Sequence, residues 1–559
     1  MSKDIKDSIT DILKKAIKEC DFTSQDIPVY FENQKEKRFG DWSAHIAMKL
    51  AKECRKPPME IAKKLTAYLE KSLAELNLKE KIKNIEIKPP GFINIFLSNS
   101  AFYDVLKAIR EEKCDFARNQ YGLGKKILME YVSANPTGPL SIAHARQAAV
   151  GDTLAKILDF CGYSVDREYY LNDEGNQISK LGLSLQIRYL ESLGKKGVTF
   201  PEDGYKGQYL ADQAQEIKEK VESGQIDADD FNPETLQYFT DFAVKKILGE
   251  IKDDLEKFGV TFDNWFSQKS MSSEQIMAVV DELRQKGCVY DKDGATWFKS
   301  TEFGDDKDRV LIKSDGQMTY LTPDIFYHKL KFERGYSRLI NIWGPDHHGY
   351  INRLKASACA LGHNKEDIDI LIIQLATLFR DGQPVRMSTR AGEYISLREL
   401  MEEVGIDAAR FFFLMRRCDS HLEFDLELAK KKTLENPVYY VQYAHARIAG
   451  ILDQQDERLK DDNNSINFSL LKEEEEIDLI RMLSYFQDIL IDCSQLLEPQ
   501  GLTTYLRELA GQFHSFYNKH RVISEDKDLS VSRIVLICCV RQVLFTGLTL
   551  LGVSAPERM

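Results

Sequence analysis

The run Ile127-Leu-Met-Glu-Tyr-Val132 passes through a loop carrying Pro136, Gly138 and Pro139 into a helical stretch. Ala145, Ala148, Ala149, Thr153, Ile157 and Leu158 mark one face of that helix. This succession restricts the fold more than any other part of the chain. A short run without polar alternation suits a strand buried on both faces, the condition of a parallel sheet. Residues 164–170 supply the next strand, and strand–helix–strand units of this size open doubly wound sheets. Strand-like runs return at 310–313, 338–343 and 368–373, each near Gly, Pro or Asp.

With 559 residues the chain exceeds a single core. Residues 1–115 read as a small α/β unit. Helical periodicity covers 5–17 and 44–73, the latter broken at Lys56-Pro57-Pro58; β-like runs follow at 85–87 and 92–97, then a charged helix at 101–110. Residues 116–395 hold the α/β sheet, with an insertion near 175–260 whose polar stretch 195–233 reads as connective. Residues 396–559 read as almost wholly helical, with loops near 461–464 and 525–528. The fold class expected is therefore α/β: a doubly wound, Rossmann-like parallel-sheet domain, an N-terminal α/β unit and a C-terminal helical bundle. No fixed-period repeat is visible.

Hydrophobic residues at 43% and charged residues at 29% match ordinary soluble globular proteins. No apolar stretch reads as long enough to span a bilayer, and the polar N-terminus carries no signal-peptide core, so a cytoplasmic protein is expected. The ten cysteines are scattered without a Cys-x-x-Cys pair, which favours reduced core residues over a zinc site. A net charge of −12 opposes generic nucleic-acid binding. It leaves room for a specific RNA partner met by local clusters of Lys and Arg.

Two segments about 240 residues apart carry the chemistry. In the first, Ser141 suits a helix N-cap and His144 falls in the first turn, where free N–H groups favour an anion. Glu130 and Asn135 lie at the C-terminal end of the strand, where doubly wound sheets bind ligands. A capped helix with a surface histidine is the simpler alternative. In the second, Arg386, Ser388 and Arg390 offer two cations and a hydroxyl, flanked by Gly382, Pro384 and Gly392. Such a loop can close on a pyrophosphate leaving group; alone, it is as readily a solvated turn. Together the segments suggest ATP-driven activation of a carboxylate.

The pair resembles the two signature motifs of class I aminoacyl-tRNA synthetases, Ser141-Ile-Ala-His144 standing for the first and Arg386-Met-Ser-Thr-Arg390 for the second. The flanking Ser-Ala-Asn-Pro-Thr-Gly-Pro-Leu and His-Ala-Arg resemble the arginyl-tRNA synthetase family. So do Asp407-Ala-Ala-Arg-Phe-Phe-Phe413, residues 436–447, Ala555-Pro-Glu-Arg-Met559 and, near the N-terminus, Phe39-Gly-Asp-Trp42 and Lys88-Pro-Pro-Gly-Phe-Ile-Asn94. The resemblance covers nearly the whole chain.

It implies an arginine–tRNA ligase using ATP with Mg²⁺, tRNA(Arg) and L-arginine, working as a monomer and away from membranes. By it His144, Arg386, Ser388 and Arg390 serve catalysis. Ser141, Ala143, His144, Gly344, Asp346, His347 and Met387 meet ATP. Glu130, Ser133, Asn135, Tyr320 and Asp324 hold arginine, whose guanidinium fork carboxylates match. Tyr439, Tyr443 and Arg447 face the anticodon, and the N-terminal unit touches the tRNA elbow.

His347-His348 beside Asp346 could instead suggest a metal site, but no third and fourth ligands are evident. Three departures stand out: Ser141 and Ala143 replace the usual His and Gly, Thr389 replaces Lys, and Pro323 replaces Arg. Two rivals remain. A tRNA-independent nucleotidyltransferase of the same fold would not need the flanking units. A non-catalytic RNA-binding paralogue would not need the set Glu130, Asn135, Tyr320 and Asp324.

Overall fold

The computed structural model describes residues 2–22, 27–34, 36–195, 199–220, 231–385, 394–453 and 466–559. At the N-terminus, β1 (Phe31–Asn33), β2 (Trp42–Ala44), β3 (Ile82–Lys88) and β4 (Phe92–Leu97) form an antiparallel sheet in the order β1-β2-β4-β3. Helix Pro58–Glu75 presents Ile61, Leu65, Leu69 and Leu73 to the core, a stripe at four-residue spacing. The three-residue strands β1 and β2 are too short to show alternation. Ala44, expected to begin a helix, instead ends β2, and the helix starts at Ile46.

The central sheet is parallel. It contains β5 (Lys126–Glu130), β6 (Ser164–Leu171) and β7 (Asn264–Ser267) and, after an excursion, two further strands. The excursion is an antiparallel sheet of β8 (Val289–Lys292), β9 (Ala295–Phe298) and β10 (Arg309–Ile312), so the run near 310 is a strand outside the main sheet. With β11 (Arg338–Trp343) and β12 (Ile368–Ile372) the order is β12-β11-β5-β6-β7. The chain builds outward from β5 on one side, then returns to β11 on the other. Its switch point therefore lies between β5 and β11, where such sheets open a ligand crevice.

Helix Ile142–Phe160 buries every apolar position expected of it, and Arg146 and Asp152 besides. Its Gly151 lies against the Tyr131 ring; a Cβ there would come within 2.4 Å of ring carbon. The Arg146 guanidinium donates to the carbonyls of Gln374, Ser420 and Arg417 at 2.7, 3.0 and 2.9 Å. It ties this helix to the small sheet of β13 (Ala376–Arg380), β14 (Gln383–Pro384) and β15 (Leu422–Asp425). β15 is a strand inside the segment expected to be almost wholly helical. Its four residues pair in parallel with β13, a long-range partner that local periodicity does not reveal.

The stretch 195–233, expected as connective, contains helix Gln208–Lys220. Leu210, Ala214 and Ile217 are fully buried on one side of it and its polar residues mask that stripe. The expected loop at 461–464 lies outside the described residues. In the C-terminal bundle, helix Lys527–Leu551 corrects the expectation about apolar stretches. It is long and apolar enough to cross a membrane by length and composition, but 67% of its most apolar window is buried. It packs against helices Pro437–Asp453 and Gln500–Lys519 as a core helix. The cysteines are all unpaired, and Cys114 is exposed rather than in the core.

Three motifs converge where bundle and sheet meet. Asp407 accepts the Ser554 N–H at 2.9 Å and the Gln442 amide at 2.8 Å. His445 Nδ1 bonds the Pro556 carbonyl at 2.8 Å. Arg410 donates to Leu551 O and Phe258 O at 2.8 and 2.9 Å and pairs with Asp152 of the motif helix.

Candidate active site

Register sets the site. Asn264, Glu168, Glu130 and Asn341 are successive partners across β7, β6, β5 and β11. Partners in register project to the same face, so one polar row crosses the middle of the sheet. Helix Leu321–Glu333 covers that face. Its Tyr327 hydroxyl donates to Glu168 Oε1 at 2.7 Å. Its Lys331, 0% exposed, reaches Glu130 Oε2 at 2.5 Å and Asn341 Oδ1 at 3.3 Å. Ser133 Oγ donates to the other Glu130 oxygen at 3.0 Å. The Asn341 amide donates to His328 Nε2 at 2.8 Å, which leaves the proton on Nδ1 to bond the Asp324 carbonyl at 2.8 Å. Burial, with the neighbouring Lys331, holds the His328 imidazole well below its usual pKa and therefore neutral. The buried charges are thus paired, as they must be away from water.

Asp324 stands at the open end of this network, in the first turn of the same helix. Its Oδ2 accepts the Tyr350 hydroxyl at 2.5 Å. Among the described residues its Oδ1 carries no hydrogen bond. Burial pushes its pKa up to about 6, the Tyr350 bond opposing and the nearby Glu130 charge assisting. Tyr170, Phe266 and Tyr327 form an aromatic wall beside it, with centroids 4.7–6.1 Å apart. Tyr320 is 84% exposed at the helix start, not packed into the pocket. Asn135 donates to Gln177 Oε1 at 2.7 Å.

The chain leaves β5 through Val132 and Ser133, both at positive φ (68° and 37°). A β-branched residue there is strained, and such strain persists only where the surroundings enforce it. The expected strand accordingly stops at Glu130. Ser133 Oγ, besides bonding Glu130, accepts the Tyr170 N–H at 3.1 Å.

Ser141 is the helix N-cap (φ −84°, ψ 170°). His144 closes back on it, Nδ1 lying 3.2 Å from the Ser141 N–H and 3.2 Å from its hydroxyl. Nδ1 is therefore the acceptor and Nε2 carries the proton. Burial pushes the His144 pKa down to about 4, the charge of Asp346 opposing. At neutral pH His144 is an uncharged donor at a helix N-terminus. Ala143 is half-buried.

Asp346 and His347 are exposed and lie 3.3 Å apart on the turn after β11. A Cβ at Gly344 would meet Asp346 Oδ1 at 2.6 Å and Gln147 Nε2 at 3.7 Å. The Trp343 ring, 5.6 Å from His347 and 6.0 Å from Tyr350, links this turn to the Asp324 pocket.

Arg386, Met387, Ser388 and Arg390 lie outside the described residues. Their flanks are defined: Val385 N–H bonds Leu378 O at 2.9 Å, and Ser396 bridges to Ser141. Far from the crevice, the Tyr439 and Tyr443 rings stack at 5.9 Å. The Arg447 guanidinium sits 5.3 Å from Tyr443 and 4.5 Å from Tyr517. All three expected tRNA residues are half-exposed rather than core.

Sequence reasoning missed Lys331, His328, Asn341, Tyr350 and Tyr170. Two signals could have found some of them. Asn341 is a polar residue inside an apolar strand, and Asp324, His328 and Lys331 share one helix face at i, i+4 and i+7.

Comparison with known proteins gives the same picture. The family description "Arginyl tRNA synthetase N terminal domain" matches residues 3–97, "tRNA synthetases class I (R), catalytic domain" residues 106–420, and "DALR anticodon binding domain" residues 441–559. Arginine–tRNA ligase 1 of Halalkalibacterium halodurans is 46% identical over 540 residues, 96% of each chain. Arginine–tRNA ligase of a Geobacter species is 44% identical, covering 99% of this chain and 100% of its own. Among solved structures, a putative arginyl-tRNA synthetase from Campylobacter jejuni superposes with TM-score 0.76 at 36% identity, covering 83% of this chain and all of that one. The Thermus thermophilus arginyl-tRNA synthetase shares the fold (TM-score 0.77, 21% identity, 99% of each chain). The chain belongs to the arginyl-tRNA synthetase family, with its class I catalytic domain.

Proposed function

We infer that the chain is an arginine–tRNA ligase, which activates L-arginine with ATP to arginyl-adenylate and transfers it to the 3′ end of tRNA(Arg), releasing AMP and pyrophosphate. The observation that carries this reading is the acid pocket of Asp324, opening at the β5–β11 switch point beside the helix start that holds His144.

Arginine enters with its guanidinium on Asp324 Oδ1 beside Tyr170, and Tyr320, exposed at the helix start, meets the substrate from outside the pocket. Glu130, Ser133 and Asn135 hold its polar groups. ATP lies across Ser141, Ala143 and the Gly344–His347 turn, with Met387 against it. Its Mg²⁺ arrives as part of the substrate, held mostly by phosphates and water. The arginine carboxylate attacks the α-phosphorus in line, and the Nε2–H of His144 donates to the phosphate oxygens as charge builds. Arg386, Ser388 and Arg390 stabilise the departing pyrophosphate. The work is positioning and electrostatics, without a covalent protein intermediate.

In the same reading, residues 1–115 meet the tRNA elbow and 116–395 form the catalytic unit. Residues 396–559 meet the anticodon through Tyr439, Tyr443 and Arg447, aromatic and Arg groups on which splayed bases stack. The enzyme works as a monomer in the cytoplasm, away from membranes.

The test is charging of a tRNA pool with labelled arginine, lysine and cysteine at saturating ATP and Mg²⁺. Arginine-specific charging is expected; tight tRNA binding with no charging would point to a non-catalytic paralogue instead. His144→Ala is expected to lower arginine-dependent, tRNA-stimulated ATP–pyrophosphate exchange by about 10²–10³-fold, the scale for losing one such donor. Because His144 is already neutral well above pH 4, its contribution should not vary between pH 5.5 and 8. An inflection near 6.5 abolished by the substitution would refute that assignment.

A further inference from the structure

The loop from β5 to the His144 helix has short-range bonds of its own near its start, Ser133 N–H to Tyr131 O at 2.9 Å and Thr137 N–H to Asn135 O at 2.7 Å. From Thr137 onward it is held from outside. Pro136 and Pro139 remove two backbone donors, and its carbonyls are instead bound from far away in sequence. Thr137 O accepts the Tyr209 hydroxyl at 2.6 Å, and Pro139 O accepts the Tyr394 hydroxyl at 2.9 Å. Leu140 O accepts the Leu397 N–H at 2.7 Å, and Ser141 bridges to Ser396. Both hydroxyls converge on one turn: a Cβ at Gly138 would lie 3.3 Å from that of Tyr209 and 3.5 Å from that of Tyr394. Tyr209 begins helix Gln208–Lys220 of the insertion, and Tyr394 follows the second signature segment.

Burial raises both phenols above their usual pKa, Tyr394 to about 12, so both are donors at any working pH. The next residue along the loop, Ser141, is the N-cap on which the His144 ring closes. Whatever fixes Thr137 to Leu140 therefore fixes where the Nε2–H of His144 points.

We propose that Tyr209 and Tyr394 are positioning residues for arginine activation, strapping the Pro136–Pro139 loop so that His144 is held against the α-phosphate. This rests on the adenylate-forming reading above and gives the insertion a part in the chemistry. Neither tyrosine touches arginine, so the effect belongs to kcat. A displacement of about 1 Å at such a group can cost about 10²-fold in rate.

The experiment compares Tyr209→Phe, Tyr394→Phe and the double variant with the wild-type chain. Each phenylalanine keeps the ring and removes only the donor. Arginine-dependent pyrophosphate exchange with tRNA present is measured at least 15 °C below each melting temperature. Expected are falls of about 10- to 100-fold in kcat for each single variant, with KM for arginine within about twofold. The double variant should lose less than the product of the singles, because both straps hold one turn. Gly138→Ala supplies a second line: its methyl would stand 3.3 Å from the Tyr209 hydroxyl, so it should slow the wild-type chain, and by a smaller factor in the Tyr209→Phe background, where that oxygen is gone. Single variants within twofold of wild-type kcat, or a rise confined to KM for arginine, overturn the proposal. If the wild-type chain charges no arginine, the functional reading itself has failed, a result distinguishable from either.

Discussion

Replacing Asp324 by Asn is expected to lower kcat/KM for arginine by about 2–5 kcal/mol, roughly 30-fold to several thousand-fold, while KM for ATP changes little. Glu130 cannot take over its role. One of its oxygens is held by the buried Lys331 ammonium and the other by Ser133. Among the described residues the Asp324 carboxylate is bonded only by a neutral hydroxyl, leaving one oxygen open to a guanidinium fork. Its stability contribution has the opposite sign. A carboxyl whose folded pKa is about 6, against an ordinary 3.8, favours the folded state below pH 3.8, and that contribution is lost as pH rises through 6. At neutral pH the ionised carboxylate is therefore a cost, and the Asn variant should melt no lower than the wild-type chain.

Arginine binding runs the other way with pH. It needs the carboxylate, so it should be full at pH 7.5 and fade as pH falls through 6. The rise in melting temperature given by saturating arginine, followed from pH 5 to 8, measures this directly. A flat profile, or a KM for arginine within threefold of wild type in the Asn variant, would remove Asp324 from the guanidinium site.

The parallel sheet was legible because β5 is a short apolar run followed by a helix with a clear face, and both signals are local; β6, with Asp166, Arg167 and Glu168 in its middle, was placed by its position after that helix. β15 and the helix Gln208–Lys220 were not, since one depends on a long-range partner and the other hides its stripe among polar residues. For the site, the motifs pointed to Glu130, His144 and Asp324. What makes these residues work was invisible, because it is set by register. That Asn341 faces Glu130, and that Lys331 descends onto both, follows from how β11 lies beside β5. The Asp407, Gln442, His445 and C-terminal motifs, suggestive of function in sequence, prove to be a joint inside the C-terminal unit, which Arg410 extends to the motif helix beside the sheet.

Arg410 is the centre of that joint, and its loss should have the largest effect on stability. It is 0% exposed and gathers three distant segments: Asp152 on the motif helix, the Phe258 carbonyl at the end of the insertion, and the Leu551 carbonyl where the last core helix stops. Gly552 follows at φ 67°, and a Cβ there would stand 2.4 Å from the guanidinium carbon. Glycine is required both by the left-handed turn and by the packing. Arg410→Met should therefore cost about 3–5 kcal/mol, because among the described residues it leaves the Asp152 charge with the half-buried Lys156 alone. It also strips the Phe258 carbonyl of its guanidinium donor and leaves the Leu551 carbonyl with a long 3.5 Å bond from Thr153. Arg410→Lys should not rescue it, since a point charge cannot serve three acceptors in different directions. Removing the buried acid as well should reverse much of the loss: Asp152→Leu combined with Arg410→Met replaces an ion pair by apolar contact, which is often neutral. Thermal unfolding of the three variants decides the matter. A double variant less stable than Arg410→Met alone would mean that Arg410 acts mainly through the two carbonyls and not through its charge. In that case the joint is built by backbone capping, and Asp152 is held by Lys156.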